Sequence, residues 1–144
     1  MINVNLYAMI SRPIGLVFDF MSKPENDFQW QYGTLDSSTH ENGLSQAGTF
    51  FQRIGHFMGR RNLSTFEVTE YEPNRKFGFR SMTGPLQSYT SYTFEKIKDV
   101  TKVNLSTQAN VVNFFQMDEG KLEKTMRKQG RENLASLKDL LEAM

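Results

Sequence analysis

NLSTFEVTEYEPNRKFGFRS, residues 62–81, reads as two strands folded about one tight turn. Glu72-Pro73-Asn74-Arg75 supplies the turn, because proline presets φ at the first corner and asparagine tolerates the second. Past it, Phe77, Phe79 and Ser81 alternate with Gly78 and Arg80, the period of two that marks a strand with one buried face. On that alternation Glu67 and Arg80 lie opposite Phe66/Val68 and Phe77/Phe79, so both are expected to face outward. So short a connection makes the pair antiparallel.

The same signals continue on both sides. Upstream, residues 34–40 read as a polar, exposed strand turned by Glu41-Asn42-Gly43, and residues 48–57 as another, turned at Met58-Gly59-Arg60. Downstream, Gly84-Pro85 turns the chain again. Tyr92 and Phe94 alternate in the next strand; Val103, Leu105, Thr107, Ala109 and Val111 alternate in the last. That makes about six consecutive antiparallel strands.

Helices bracket this run. INVNLYAMI (Ile2–Ile10) is a further strand, with Ile2, Val4, Leu6, Ala8 and Ile10 on one face. Ser11 is expected to cap a short helix with Pro13 in its first turn and an apolar stripe of Ile14, Val17, Phe18 and Met21. FDFMSKPENDFQW, residues 18–30, then crowds three Phe and the only Trp around Pro24, which stops the first helix and starts a second ending near Trp30. From about residue 116 the tail is one long helix. Leu122, Met126, Gly130, Leu134, Leu137, Leu141 and Met144 share a face, and Asp118 and Glu119 sit at the positive end of the helix dipole.

A long antiparallel sheet curls, and an amphipathic helix can lie across its concave face. Phe, Tyr and adaptable Met117 and Met126 are expected to line the space between. For any single aromatic, filling the core is the simpler assignment; their number argues for a pocket under the helix.

The 144 residues fit a single domain, and a net charge of +1 gives no reason to expect a nucleic-acid partner. The absence of cysteine excludes disulfides and thiolate chemistry. The N-terminus lacks a cationic leader with a long apolar run, and no apolar stretch approaches the ~18 residues of a membrane span, so a cytoplasmic protein is expected. The sequence carries no signal of oligomeric state.

GRRNLSTFEVTEYEPNRKFGFRS (residues 59–81), Gly84-Pro85 and YTFE (residues 92–95) together resemble the SRPBCC superfamily, in its polyketide cyclase/dehydrase-like and lipid-transport branch. SRPIGLVFDFMSKPENDFQW (residues 11–30) is similar to that family's first helix, hinge and following Trp. ENLASLKDLLE (residues 132–142) resembles its C-terminal helix. Two departures stand out: Lys98-Asp99-Val100-Thr101 replaces a Gly-Gly-Thr turn common in the family, and residues 31–48 follow no family pattern. The resemblance implies an α+β helix-grip fold, also that of START domains and the birch-pollen allergen group. A curved sheet of about six to seven strands would wrap a long C-terminal helix, with two short helices after the first strand. It further implies that Phe18, Phe20, Phe28 and Trp30 close one end of a cavity for a steroid, lipid, polyketide or quinone.

The expected ligand-binding set is therefore Phe18 and Trp30 from the helices and Phe51, Arg53, Phe66, Phe79, Tyr92 and Thr107 from the strands. The long helix adds Leu122, Met126 and Gly130, whose missing side chain is expected to leave room for ligand. Tyr89, Tyr92, Arg53 or Thr107 would fix ligand orientation.

No metal or cofactor is expected, since the only His, His40 and His56, lie far apart on separate strands. No nucleophile elbow surrounds any Ser or Thr, and the Ser/Thr-rich strands read as exposed sheet faces. Arg53, His56, Glu67, Arg80 and Glu95 are acid–base candidates if they point inward, though a solvated or salt-bridged role is the simpler assignment for each. Parity cannot decide for Arg53 or His56, because both faces of their strand carry Phe. Asp19 is expected on the surface. Lys121, Lys124, Arg127, Lys128 and Arg131 read as a solvated helix face, with Glu123 supporting Arg127. Three functions follow: a carrier of a small hydrophobic molecule, a cyclase or dehydratase working by acid–base chemistry in the same cavity, or a protein-interaction module.

Overall fold

The turn at residues 72–75 forms as its residue types dictate: the Arg75 amide donates to the Glu72 carbonyl at 2.9 Å, and Asn74 takes a φ of 61°. The computed structural model describes residues 1–31, 33–39, 46–57, 60–84, 86–111 and 118–144. The order is β1 (Ile2–Ile10), α1 (Ile14–Met21), a 3-10 helix (Pro24–Gln29), β2 (Thr34–Thr39), β3 (Phe50–Phe57), β4 (Arg60–Glu72), β5 (Lys76–Ser81), β6 (Leu86–Ile97), β7 (Val100–Val111) and α2 (Glu119–Glu142). The seven strands form one antiparallel sheet, β1-β7-β6-β5-β4-β3-β2. Irregular registers at Thr34/Asp36 and Val68/Glu70 add local twist where the sheet curls. This is the helix-grip architecture.

Two local expectations are corrected, and one departure from the family pattern shows its backbone consequence. Pro13, extended at φ −60° and ψ 144°, is itself the N-cap of α1, so Ser11 falls too early to cap it. The Ser11 amide instead donates to Glu142 Oε2 at 2.8 Å. Met144 lies beyond the end of α2 and is 62% exposed, because the helical period stops at Glu142. Between β6 and β7, Lys98 takes a φ of 56° where the resembling family places glycine, a backbone conformation that costs an L-residue about 1 kcal/mol or more.

Two packed regions hold α2 to the sheet. Leu134, Leu137 and Leu141 pack with Ile10, Val17, Phe18, Met21, Phe94 and Val103 toward its C-terminal end. Leu122 packs with Ile2, Val4 and Ala109 toward its start. α2 approaches the sheet backbone chiefly along β1 and stands farther from the central strands.

Strand β1 is an edge, and α2 sets a row of charged side chains along it. Glu119 meets the N-terminal amine at 3.1 Å. Glu123 accepts from the Asn3 amide at 3.2 Å and Arg127 donates to the Asn3 carbonyl at 3.3 Å. Lys138 donates to the Met9 carbonyl at 2.5 Å. Glu123 and Arg127 thus spend their polarity on edge backbone rather than on each other. No helix among the described residues is long and apolar enough to cross a membrane.

Candidate functional site

Helical spacing places the first wall. In a 3-10 helix, side chains three apart share a face. Pro24, Asp27 and Trp30 are accordingly buried, while Phe28 falls off that face and is 53% exposed. Trp30 meets Tyr92 edge to face at 6.1 Å and borders the inner recess of a cavity between the sheet and α2. Phe18 lies elsewhere, in the closed core, edge to face with Tyr71 at 5.4 Å and Phe94 at 5.1 Å. The cavity end is therefore formed by Trp30, without Phe18 or Phe28.

The cavity measures about 290 Å³, and its inner recess about 210 Å³. Phe66, Phe79, Leu122 and Met126 give it apolar surface. Of the sequence-derived set, Arg53, Thr107, Tyr92 and Gly130 also line it or its recess. Phe51 does not; it is buried beneath, stacked on Phe66 at 5.1 Å. Tyr89 sits on the convex face, where its hydroxyl donates to Glu70 beside Lys76 and so cannot orient a ligand in the cavity. Glu67 and Arg80 pair outward at 2.6 Å. His56 is exposed at the rim, and His40 and Met117 lie outside the described residues. Among the described residues no three His, Asp or Glu side chains converge as metal ligands.

The remaining wall is polar, which the sequence reading did not anticipate. Ser64, Ser88 and Thr90 join Thr107 on it, facing α2 across the cavity. Their signal was parity with Phe66 and Tyr92. Thr90 and Thr107 hydroxyls lie 3.3 Å apart across β6 and β7, and Gln31 donates to the Tyr92 hydroxyl at 3.3 Å.

Arg53 carries the site's electrostatics. It points inward on β3, its guanidinium 5.0 Å from the Phe66 ring centre, 5.7 Å from that of Phe79 and 5.8 Å from that of Phe51. Its Nη2 donates to Asp27 Oδ2 at 2.7 Å. Burial pushes the Asp27 carboxyl up to about 6, opposed by the charge and hydrogen bond of Arg53, with Glu25 adding a small push upward. Burial, helped by the Asp27 charge, also raises the Tyr92 phenol.

Gly130 serves close packing. A Cβ there would meet Leu6 Cδ1 at 2.7 Å, so the bare helix surface lets β1 approach even though Gly130 also borders the recess. Gly130→Leu is expected to cost about 1–3 kcal/mol in urea denaturation. Unchanged stability would mean that the recess absorbs the side chain.

A curled sheet gripped by a helix, with an open cavity between the two, defines a helix-grip protein. The chain belongs to the polyketide cyclase / dehydrase and lipid transport family, whose model matches residues 1–142. Among solved structures it is similar to the di-domain ARO/CYC BexL from the BE-7585A biosynthetic pathway, at 16% identity and TM-score 0.78. That match covers 99% of this chain and 47% of the other, so this chain spans about half of the di-domain's length. Protein MLL2253 from Mesorhizobium loti matches at 16% identity and TM-score 0.75, over 99% of this chain and 98% of that one. Ara h 8.0201 matches at 8% identity and TM-score 0.73, over 99% and 98%. At these identities the likeness is one of fold. No curated protein sequence matches the chain.

Proposed function

We propose that the protein binds and carries a small hydrophobic ligand, a lipid, polyketide or related molecule, between the sheet and α2. The observation that carries this reading is the cavity itself, about 290 Å³ with Phe66, Phe79, Leu122 and Met126 on its walls. Burying apolar ligand surface there contributes about 25 cal/mol per Å² before association costs. Family membership supports a ligand-binding role in general. The test uses Trp30, the only tryptophan, as reporter. Titration with the neutral probe N-phenyl-1-naphthylamine is expected to saturate at one site and to change both probe and Trp30 emission. Emission that stays flat for both, with the fold intact, would sink the reading.

One observation favours a second reading, a cyclase- or dehydratase-type enzyme: a charged side chain, Arg53, points into the cavity with a buried carboxyl behind it. Turnover of a polyketide-like substrate that is lost in Arg53→Gln, while the neutral probe still binds, would favour the enzyme over the carrier.

A further inference from the structure

Arg53 and Asp27 form an incompletely satisfied pair. Arg53 Nη2 is bonded to Asp27 Oδ2, but Arg53 Nε and Asp27 Oδ1 are buried without a partner. The two side chains differ in position. Arg53 is 18% exposed and borders both the cavity and its recess, whereas Asp27, 5% exposed, stands behind it off the wall. Among the described lining residues Arg53 bears the only fixed charge. A cavity with apolar side chains on one side, hydroxyls on another and one guanidinium on its wall suits an acceptor oxygen rather than a donor at that guanidinium.

We propose that the ligand carries an anionic end that docks on the Arg53 guanidinium, and that Asp27 takes up a proton from solvent as it docks. This inference rests on the reading of the cavity as a ligand site. Charge balances on both sides of the exchange. The empty site holds Arg53 cation and Asp27 anion; the filled site holds Arg53 cation, ligand anion and neutral Asp27. Two anions around one cation in a poorly solvated space repel, and the one farther from water gives up its charge. Asp27 is already poised for this, since with Arg53 beside it its carboxyl titrates at about 6. Protonating it at pH 7 therefore costs about tenfold in the binding constant, far less than for an ordinary carboxyl.

The charges around Asp27 leave it the responsive group. Arg53 approaches from β3 and Glu25 lies on its own 3-10 helix, while Tyr92 from β6 is held protonated. Asp36 of β2 turns to the Ser37 amide, Asp19 of α1 is exposed, and His56 lies at the exposed rim.

The experiment compares two probes with one aryl frame: 1-anilinonaphthalene-8-sulfonate, anionic at every pH used, and neutral N-phenyl-1-naphthylamine. Between pH 6 and 8 the sulfonate's Kd is expected to rise as pH rises, by up to about tenfold per unit, while the neutral probe's stays flat. Calorimetry at pH 7.5 in two buffers of different ionisation enthalpy should count nearly one proton taken up per sulfonate bound. Asp27→Asn is expected to bind the sulfonate tightly at every pH, and Arg53→Gln to lose the preference for it. Zero proton uptake by the unmodified protein, an equal slope for the neutral probe, or a full slope retained in Asp27→Asn would each overturn the proposal. The calorimetric count needs no variant, so a misfolded mutant leaves the test intact. Neutral probe bound and sulfonate refused overturns this inference alone; refusal of both overturns the ligand site as well.

Discussion

Phe18→Ala is expected to lower stability by about 3–5 kcal/mol and to leave the neutral probe's affinity unchanged in the folded protein. The ring is 1% exposed and meets Tyr71 and Phe94 edge to face, so its loss empties the joint between α1 and the sheet. Aromatic pairs of this geometry contribute about 0.5–1.5 kcal/mol beyond area burial, which places the cost toward the upper end of the range. Urea denaturation followed by probe titration makes the comparison. A loss below about 1 kcal/mol would show that neighbouring side chains refill the joint. A large change in probe affinity would place Phe18 on the cavity wall after all.

Arg53→Leu is expected to cost about 3–5 kcal/mol at pH 8, because it leaves the Asp27 carboxylate buried alone. The sign of the pH dependence follows from Asp27. Its pKa rises from 3.8 in ordinary surroundings to about 6 in the folded protein. In the unmodified protein this group's contribution is thus fully present below about pH 4 and is lost as pH climbs to 6, about 3 kcal/mol in all. Removing Arg53 removes the two influences that hold the carboxyl down, so in the variant the loss continues to higher pH. The stability gap between the two proteins should therefore be widest at pH 8 and shrink as pH falls toward 6. A gap of the same size at every pH would assign the cost to lost packing of the guanidinium over its phenylalanine rings.

Much of this was readable in advance. The period of two in β1 and β5, the turn at residues 72–75 and the apolar face of α2 each correspond to an element of the structure. These are local signals that tertiary packing reinforces. The site was harder. In β3 both Phe50 and Phe51 are aromatic, yet only Phe51 is buried, and Phe50 remains 38% exposed; hydrophobicity alone could not tell which face held Arg53. Ser64, Ser88 and Thr90 carry the polarity of an exposed face but line the cavity, since a wall of an open cavity and a solvated sheet face draw on the same residue types. Asp27 was readable only through the spacing of Pro24, Asp27 and Trp30. That spacing buries a carboxyl once the segment winds as a 3-10 helix, which stacks the three side chains in line, whereas an α-helix would have fanned them over about 120°.

The strip of charges that α2 lays along β1 fixes an order of events during synthesis. β1 leaves the ribosome before the other six strands, whereas its sheet partner β7 is the last of them and the helix that covers its outer edge follows; Asn3 and Glu123 are 120 positions apart. At the usual ~5–20 residues per second the nascent strand waits several seconds with both edges bare. The β3–β4 and β4–β5 hairpins can pair in that interval, being joined by short connections. The first strand is then captured from one side by β7 and sealed from the other by Glu119, Glu123, Arg127 and Lys138. A chain stalled before Glu119 would keep an alternating apolar strand exposed, the form in which such strands recruit one another.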